Sequence, residues 1–239
     1  MTYTELVTAI QTYTENTFPT TTLADGTTVS STTQINRFIE QAEQRIYNTV
    51  QFPSLRKNVT GSVTSANKYL SCPSDFLSSY SLAVIDASGN YEYLLNKDVN
   101  FIRQAYPNPT TDTGIPKYYA LFGPTVNTST ITNELSFILG PTPDTTYSVE
   151  LHYYYYPESI TTAGSTWLGD NFDTVLLYGS LVEAYTYMKG EVDIITGYDA
   201  KYKEALGMAK RLGDGLERSD AYRSGQYREA PLPQNSGVR

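Results

Sequence analysis

The sequence predicts an α+β fold in which helices from both ends of the chain form a bundle and an antiparallel β-rich module is inserted between them. Apolar residues recur at helical spacing before residue 54 and again after residue 165. Between these regions the period of the pattern changes to two, in short runs bounded by Gly and Pro. Beyond residue 212 aliphatic side chains are too few to fold alone, which predicts an extended C-terminal arm.

These changes of pattern predict the domain organisation. Residues 1–54 and 165–212 form a helical body. Residues 55–164 form the inserted β-rich module, with one short helix. Residues 213–239 form a flexible C-terminal docking arm.

The first helix is predicted from the spacing of Leu6, Ile10 and Tyr13. It should end before Phe18-Pro19, because a residue that precedes proline is disfavoured in the α region. A turn is expected at Asp25-Gly26 in the threonine-rich stretch that follows.

The second helix has the clearest apolar face of the sequence, and Thr32 or Thr33 is predicted to cap its start. Pro53 lies just past its end. Its predicted buried face consists of Ile35, Phe38, Ile39, Ala42 and Ile46. Its predicted solvated side consists of Glu40, Glu43, Gln44 and Arg45.

Short strands follow from Leu55. A hairpin is predicted around Asp86–Asn90, with Leu95 on its return strand beside Tyr91 and Tyr93. A short helix is expected over Asp98–Tyr106. Further strands are expected over residues 59–63, 118–122 and 135–139.

The most regular strand places Tyr147, Val149, Leu151, Tyr153 and Tyr155 on one face. The opposite face ends in tyrosine as well. We therefore expect Tyr154 and Tyr156 to meet protein, either a helix or a neighbouring subunit.

Helices return after Trp167, with Asp170 or Asn171 as the predicted cap of the next helix. Gly190 is predicted to break this region. The last helix is predicted to run to Leu212, ahead of two glycines at 213 and 215.

The composition excludes several classes of protein. A net charge of −8 argues against a protein whose main work is holding nucleic acid, since clustered Lys and Arg supply that affinity. The single cysteine, Cys72, cannot form an internal disulfide, which favours synthesis in a reducing cytoplasm. No signal peptide or membrane-spanning stretch is recognised in the sequence, so no membrane association is expected.

The sequence contains no recognisable catalytic, cofactor-binding or metal-binding motif. His152 is the only histidine and lies in a predicted strand, so a histidine packed within the fold is the favoured interpretation. One cysteine and one histidine cannot form a zinc site. No enzyme is predicted, although a pair of carboxylates from distant positions stays open.

Two segments favour binding to protein. The C-terminal segment interleaves arginine with tyrosine, the residues that dominate interface hot spots, and we expect it to dock through Arg218, Tyr222, Arg223, Tyr227 and Arg228. A frayed terminus without function is the alternative. The strand Tyr153–Tyr156 also suggests sugar stacking, but such sites favour tryptophan and Trp167 lies outside the run.

Several segments resemble head-to-tail adaptor (connector) proteins of tailed bacteriophages. They are Gln41–Tyr47, Phe52–Gly61, Tyr69–Leu77, Leu94–Ile102 and Gly140–Pro143. The resemblance covers nearly the whole chain, in many modest signals.

This resemblance implies a structural virion protein located in the neck. Such proteins form a ring, usually of twelve copies, beneath the portal protein. The ring extends the DNA channel, passes the genome without specific binding and carries the nozzle or tail-tube proteins. The C-terminal arm would reach the portal, and assembly would take place in the host cytoplasm. The β-rich module would face outward or towards the tail, so Tyr154 and Tyr156 would meet a neighbouring subunit or a tail protein. The competing prediction is a carbohydrate- or surface-binding module of a phage fibre or tail component.

Overall fold

The computed structural model describes residues 1–123, 125–127, 130–133 and 135–224, with side chains at 1–123 and 135–213. The fold is α+β, as predicted, and most of its strand pairs are antiparallel. The chain divides into two compact units. One contains residues 1–54 and the chain from Pro157 onward, and the other contains residues 55–156.

The helices and strands of the described residues have the following bounds. The helices are α1 (Tyr3–Thr14), α2 (Ser31–Thr49), α3 (Val99–Ala105), α4 (Ile160–Ala163), α5 (Trp167–Asn171), α6 (Asp173–Met188) and α7 (Val192–Ser224). The strands are β1 (Thr21–Thr22), β2 (Thr28–Val29), β3 (Arg56–Val63), β4 (Tyr69–Ser71), β5 (Ser78–Ile85), β6 (Tyr91–Tyr93), β7 (Leu95–Asn96), β8 (Tyr118–Phe122), β9 (Thr125–Asn127), β10 (Thr130–Asn133), β11 (Ser136–Gly140) and β12 (Tyr147–Tyr154).

The helical unit is built around α6, which contacts α1, α2, α5 and α7. The predicted apolar face of α2 is confirmed, since all five of its residues are buried. The predicted cap of this helix is wrong. Ser30 is the N-cap, and its hydroxyl accepts a hydrogen bond from the backbone N–H of Thr33. The predicted turn at Asp25-Gly26 joins β1 to β2, with Gly26 at a φ of +83°.

Two further expectations about the C-terminal helices are corrected. Asp170 and Asn171 do not cap α6; both belong to the short helix α5, and α6 begins after Phe172 without a side-chain cap. The predicted break beside Gly190 is confirmed, because α6 ends at Met188 with Lys189 in the left-handed region.

The last helix does not end near Leu212 but continues through Ser224. Gly213 was expected to help stop it, yet this residue is buried against the chain that follows α2. A Cβ atom there would lie 2.8 Å from the carbonyl oxygen of Gln51 and 3.1 Å from Val50. Gly213 is therefore a residue of close packing inside α7.

The second unit consists mainly of two four-stranded sheets with the orders β3-β12-β5-β6 and β4-β11-β8-β7. Apolar side chains from one face of each sheet form a common core. This core includes Val84, Val149, Leu151 and Tyr153 from the first sheet and Tyr119, Phe137 and Leu139 from the second.

The short helix α3 covers the other face of the second sheet, where Ile102 packs against Ala120 and Ile138. Its predicted existence is confirmed, and Asp98 caps it by accepting a hydrogen bond from the N–H of Asn100. The close packing explains Gly140, because a Cβ there would lie 2.8 Å from Ile102.

The predicted hairpin around Asp86–Asn90 is confirmed as β5 and β6, but Leu95 does not continue its return strand. The chain leaves the first sheet at Leu94, whose side chain enters the core between the sheets. Leu95 then begins β7, which pairs in parallel with β8 in the second sheet. This parallel pair is a departure from the expected antiparallel pattern.

Candidate interaction surfaces

The outer face of the first sheet contains Tyr154, one of the two tyrosines that were predicted to meet protein. Along β12 buried residues alternate with Ser148, Glu150, His152 and Tyr154, which lie on the face away from the core. The expected alternation is thus confirmed. The residues of β3 and β5 that are paired with these four positions lie on the same face, because directly opposed residues in a sheet point to the same side.

Tyr154 belongs to a cluster of aromatic and cationic groups on this face. The guanidinium of Arg56 lies 4.7 Å from the ring centre of Tyr80 and 5.6 Å from that of Tyr154. The rings of Tyr80 and His152 meet edge to face at 5.0 Å. Tyr80 is 50% exposed and presents its ring to solvent. We call Arg56, Tyr80, His152 and Tyr154 the arginine–tyrosine cluster.

A second group lies at the β6 side of the same face. The rings of Tyr91 and Tyr93 stack at 6.4 Å and are 51% and 66% exposed. The carboxylate of Glu150 accepts a hydrogen bond of 2.6 Å from the Asn58 amide. A hydrogen bond from Tyr91 to the same carboxylate raises the pKa of Tyr91. The Glu150 carboxylate of β12 therefore links Asn58 on β3 to the exposed ring of Tyr91 on β6.

The other predicted site residues are less closely grouped. Tyr156 follows β12 and is exposed. Arg218, Tyr222 and Arg223 fall on the backbone of α7, and their side chains lie outside the described part of the chain. Tyr227 and Arg228 lie outside the described residues altogether.

The helical unit contains a groove that the sequence did not predict. It measures about 390 Å³ and lies between the β1–β2 hairpin, α2 and α6, lined by residues that include Leu23, Phe38 and Tyr187. Gln34 holds one wall in place, since its amide donates to the carbonyl oxygens of Pro19 and Val29. Its own oxygen accepts from the Tyr187 hydroxyl.

The described residues offer little that could support catalysis. They contain no group of three or more His, Cys, Asp or Glu side chains that could hold a metal ion. Burial raises the pKa of the Cys72 thiol to about 12, so it is a poor nucleophile. Among the helices described, none is long and apolar enough to cross a membrane.

Extended surfaces of tyrosine and arginine, in place of an enclosed polar cavity, are typical of a protein that binds other proteins. The family model of the SU10 adaptor protein matches residues 1–228. The chain belongs to the SU10 adaptor family. Comparison with curated proteins gives no match. The resemblance to phage head-to-tail adaptors stated from the sequence is confirmed by this family.

Membership assigns the adaptor its general role. It is a structural protein of a bacteriophage virion that acts in virus assembly, and the family is not an enzyme class. An SU10 adaptor is associated with portal and tail components, which indicates a position in the virion neck.

Sequence reasoning missed half of the adaptor's arginine–tyrosine cluster. Tyr154 was selected from the alternation along one strand, whereas Arg56 and Tyr80 come from two other strands. Tyr80 lies at an irregularity of the strand register, because His152 is opposite Ser81 and Tyr153 is opposite Ser79. Simple alternation along β5 therefore does not predict its position. Pairing between distant strands cannot be read from one sequence, so the cluster needed the fold.

Proposed function

We propose that this adaptor forms a ring of twelve copies beneath the portal, extends the DNA channel and provides the platform on which the tail proteins assemble. The match of the adaptor family over residues 1–228 carries this proposal. The net charge of −8 supports it, because an acidic channel wall would repel DNA and let it slide. No cofactor or specific DNA contact is required, and assembly would occur in the host cytoplasm before the virion is complete.

The C-terminal segment is the part that we assign to the portal. Residues 218–239 hold four arginines, at 218, 223, 228 and 239, against Asp220 and Glu229, so the segment is basic on an acidic protein. Arginine and tyrosine bind protein surfaces through planar, amphipathic groups. A contact of moderate affinity would be strengthened by repetition around a ring.

Electron microscopy of the adaptor mixed with the portal from the same genome tests the main proposal. We expect a ring stacked coaxially on the portal, and its symmetry would give the copy number. A portal that stays bare at high micromolar adaptor would refute the proposal. Deletion of residues 218–239 also removes the last residues of α7 and should abolish attachment, while residues 1–217 keep a cooperative thermal unfolding transition. Attachment by the truncated chain would overturn the assignment of the arm alone.

One observation favours the surface-binding alternative. Tyr91 and Tyr93 form an exposed stacked pair, and sugars bind to exposed aromatic faces. The lone tryptophan does not join them, because Trp167 packs against Phe52 and Phe172 in the helical unit. Retention of the adaptor on host polysaccharide, without affinity for the portal, would favour this alternative.

A further inference from the structure

The first sheet of the β unit has two strand edges at opposite ends. In the order β3-β12-β5-β6, each outer strand has a partner on one side only among the described residues. A strand edge presents backbone N–H and C=O groups that another strand can pair with. Residues 57–62 of β3 are all exposed, as are the three residues of β6.

The two edges differ in charge. Arg56 and Lys57 open β3, and no acidic residue occurs between positions 56 and 74. At the other end of the sheet β6 carries Glu92 between two exposed tyrosines, and no basic residue occurs between positions 79 and 96. A cationic edge and an acidic, aromatic edge are complementary.

The strand directions are also compatible. All three pairs within this sheet are antiparallel, so β3 and β5 run one way while β12 and β6 run the other. A second copy added beyond β6 would present its β3, which runs opposite to β6. The antiparallel alternation would therefore continue across the boundary.

We propose that β6 of one copy pairs with β3 of the next, so that the sheets of neighbouring subunits join edge to edge. The inference rests on the proposed ring. A contact between two different surfaces of identical subunits is heterologous, and repetition of such a contact closes a ring when the rotation permits. Pairing of β3 with a second β3 would give an isolated dimer instead.

The side-chain faces select a register for this pairing. Glu92 lies opposite Val84, in a row that continues through Val149 to Gly61. Residues of β3 alternate between faces, so Lys57 lies on the same face as Gly61 and hence as Glu92. Glu92 placed opposite the neighbouring Lys57 forms an ion pair.

The same register places aromatic rings beside Arg56, the other cationic residue of the β3 edge. Tyr93 falls opposite Arg56 and Tyr91 opposite Asn58, on the outer face of the joined sheet. The guanidinium of Arg56 already lies on the rings of Tyr80 and Tyr154, so Tyr93 would extend this stack. Lys57 also pairs with Asp75 at 2.8 Å, an exposed contact whose contribution to stability is small. Its side chain is 46% exposed and can serve both carboxylates.

A strand of three residues forms few backbone hydrogen bonds. Stable protein interfaces bury about 1,200 Å² or more, so other surfaces of the adaptor must supply most of the buried area. The edge contact would set the orientation and order of neighbouring subunits.

Cysteine cross-linking of the assembled complex tests this pairing. The variant Glu92→Cys/Lys57→Cys, in a Cys72→Ser background, is assembled on the portal and oxidised mildly. We expect a ladder of covalent oligomers beyond the dimer on a non-reducing gel. The matched control Glu92→Cys/Ser62→Cys moves the second thiol five residues along β3, about 17 Å away. It should give at least tenfold less cross-linking.

A charge exchange provides an independent measurement. Glu92→Lys should reduce ring formation on the portal at least tenfold, and Glu92→Lys/Lys57→Glu should restore it. Circular dichroism and thermal unfolding verify that each variant is folded.

The outcomes separate this inference from the proposed function. Rings that form without a ladder, or dimers from either single cysteine variant, would overturn the edge pairing and leave the ring proposal standing. Absence of rings from the unaltered protein on its portal would overturn both. A ladder confined to the matched pair, together with rescue by charge exchange, would establish the contact.

Discussion

Glu43, in the middle of α2, accepts a hydrogen bond of 3.0 Å from the backbone N–H of Ile160, at the start of α4. Its carboxylate is also hydrogen-bonded by the Ser159 side chain, and the residue is only 3% exposed. A charged group thus satisfies the end of a helix that is more than a hundred residues away. Removal of solvent raises the pKa of Glu43, and the nearby charge of Glu40 adds to the increase.

The stability of the adaptor should therefore depend on pH through Glu43. A carboxyl whose pKa is higher in the folded state binds its proton first in that state. The contribution of Glu43 to stability is fully present when the pH is below the ordinary pKa of this carboxyl, about 4.5. The contribution is lost as the pH rises through the higher pKa of the folded state. Relative to Glu43→Gln, the wild-type chain should gain stability when the pH falls from 7 towards 4.5. Urea unfolding of both proteins at several pH values measures this difference.

Gln44→Ala is the matched control for this prediction, because Gln44 lies beside Glu43 on α2, is exposed and carries no ionisable group. The difference in the free energy of unfolding between this control and wild type should change little with pH. Glu43→Ala should cost about 1–3 kcal/mol at pH 7, since it leaves the buried N–H of Ile160 without its acceptor. Parallel pH curves for wild type and Glu43→Gln would contradict the role assigned to Glu43.

Two glycines of α7 should respond in opposite directions to the same substitution. Gly213→Ala should destabilise the helical unit by about 1–3 kcal/mol, because the new Cβ meets the backbone of Gln51 at 2.8 Å. At Gly207 nothing lies within 4 Å of a new Cβ, so Gly207→Ala should stabilise by up to about 1 kcal/mol. Thermal unfolding of the two variants beside wild type measures both effects. Equal effects would mean that Gly213 is not a packing residue.

The particular errors of sequence analysis show what a pattern can and cannot predict. The core face of α2 was predicted because it depends on local periodicity alone. Glu43 was assigned to solvent by its charge, although it lies four residues after Ile39 and three before Ile46, within the same buried stripe. The helical spacing therefore indicates that Glu43 is buried. The hydrogen-bond donors that make the burial of this carboxylate tolerable come from residues 159 and 160, which the local pattern cannot reveal.

The predictions for Gly213 and for the strand that follows Leu94 were wrong for a different reason. A glycine can mark a helix end or a close approach of two backbones, and only the position of Gln51 decides between them. The crossing of the chain between the two sheets at Leu94 depends on a strand more than twenty residues further on. The arginine–tyrosine cluster needed both kinds of information, since it joins three strands that are distant in sequence.

The single thiol should be nearly inert in the folded protein. Burial raises the pKa of Cys72 from 9.0 to about 12, which lowers the fraction of thiolate at pH 8 about a thousandfold. Reaction with a disulfide reagent such as dithiobisnitrobenzoate should be slower in buffer than in 6 M guanidinium by about that factor. The reaction is followed at 412 nm, and free cysteine under both conditions is the control. Rapid labelling of the native adaptor would show that Cys72 is accessible and ionisable.

Tyr154, half-buried on the outer face of β12, and the exposed Tyr156 provide a test of assembly. Tyr154 contributes a ring to the arginine–tyrosine cluster, and Tyr156 is exposed two residues later. Loss of both rings removes apolar contact area that interfaces exploit, while the buried face of the strand is unchanged. Tyr154→Ala/Tyr156→Ala should therefore remain folded and reduce the yield of tailed particles at least tenfold.

The stage at which assembly stops distinguishes the two roles proposed for these tyrosines. Portals without rings would mean that Tyr154 and Tyr156 join neighbouring copies, whereas ringed portals without tails would mean that they face a tail protein. Negative-stain microscopy of particles assembled with the variant separates these results. Ser148→Ala, on the same strand and the same outer face, is the control that should assemble normally. Normal tailing by the double variant would remove both tyrosines from the interaction surface, because exposed rings that contribute nothing to assembly have only a local packing role.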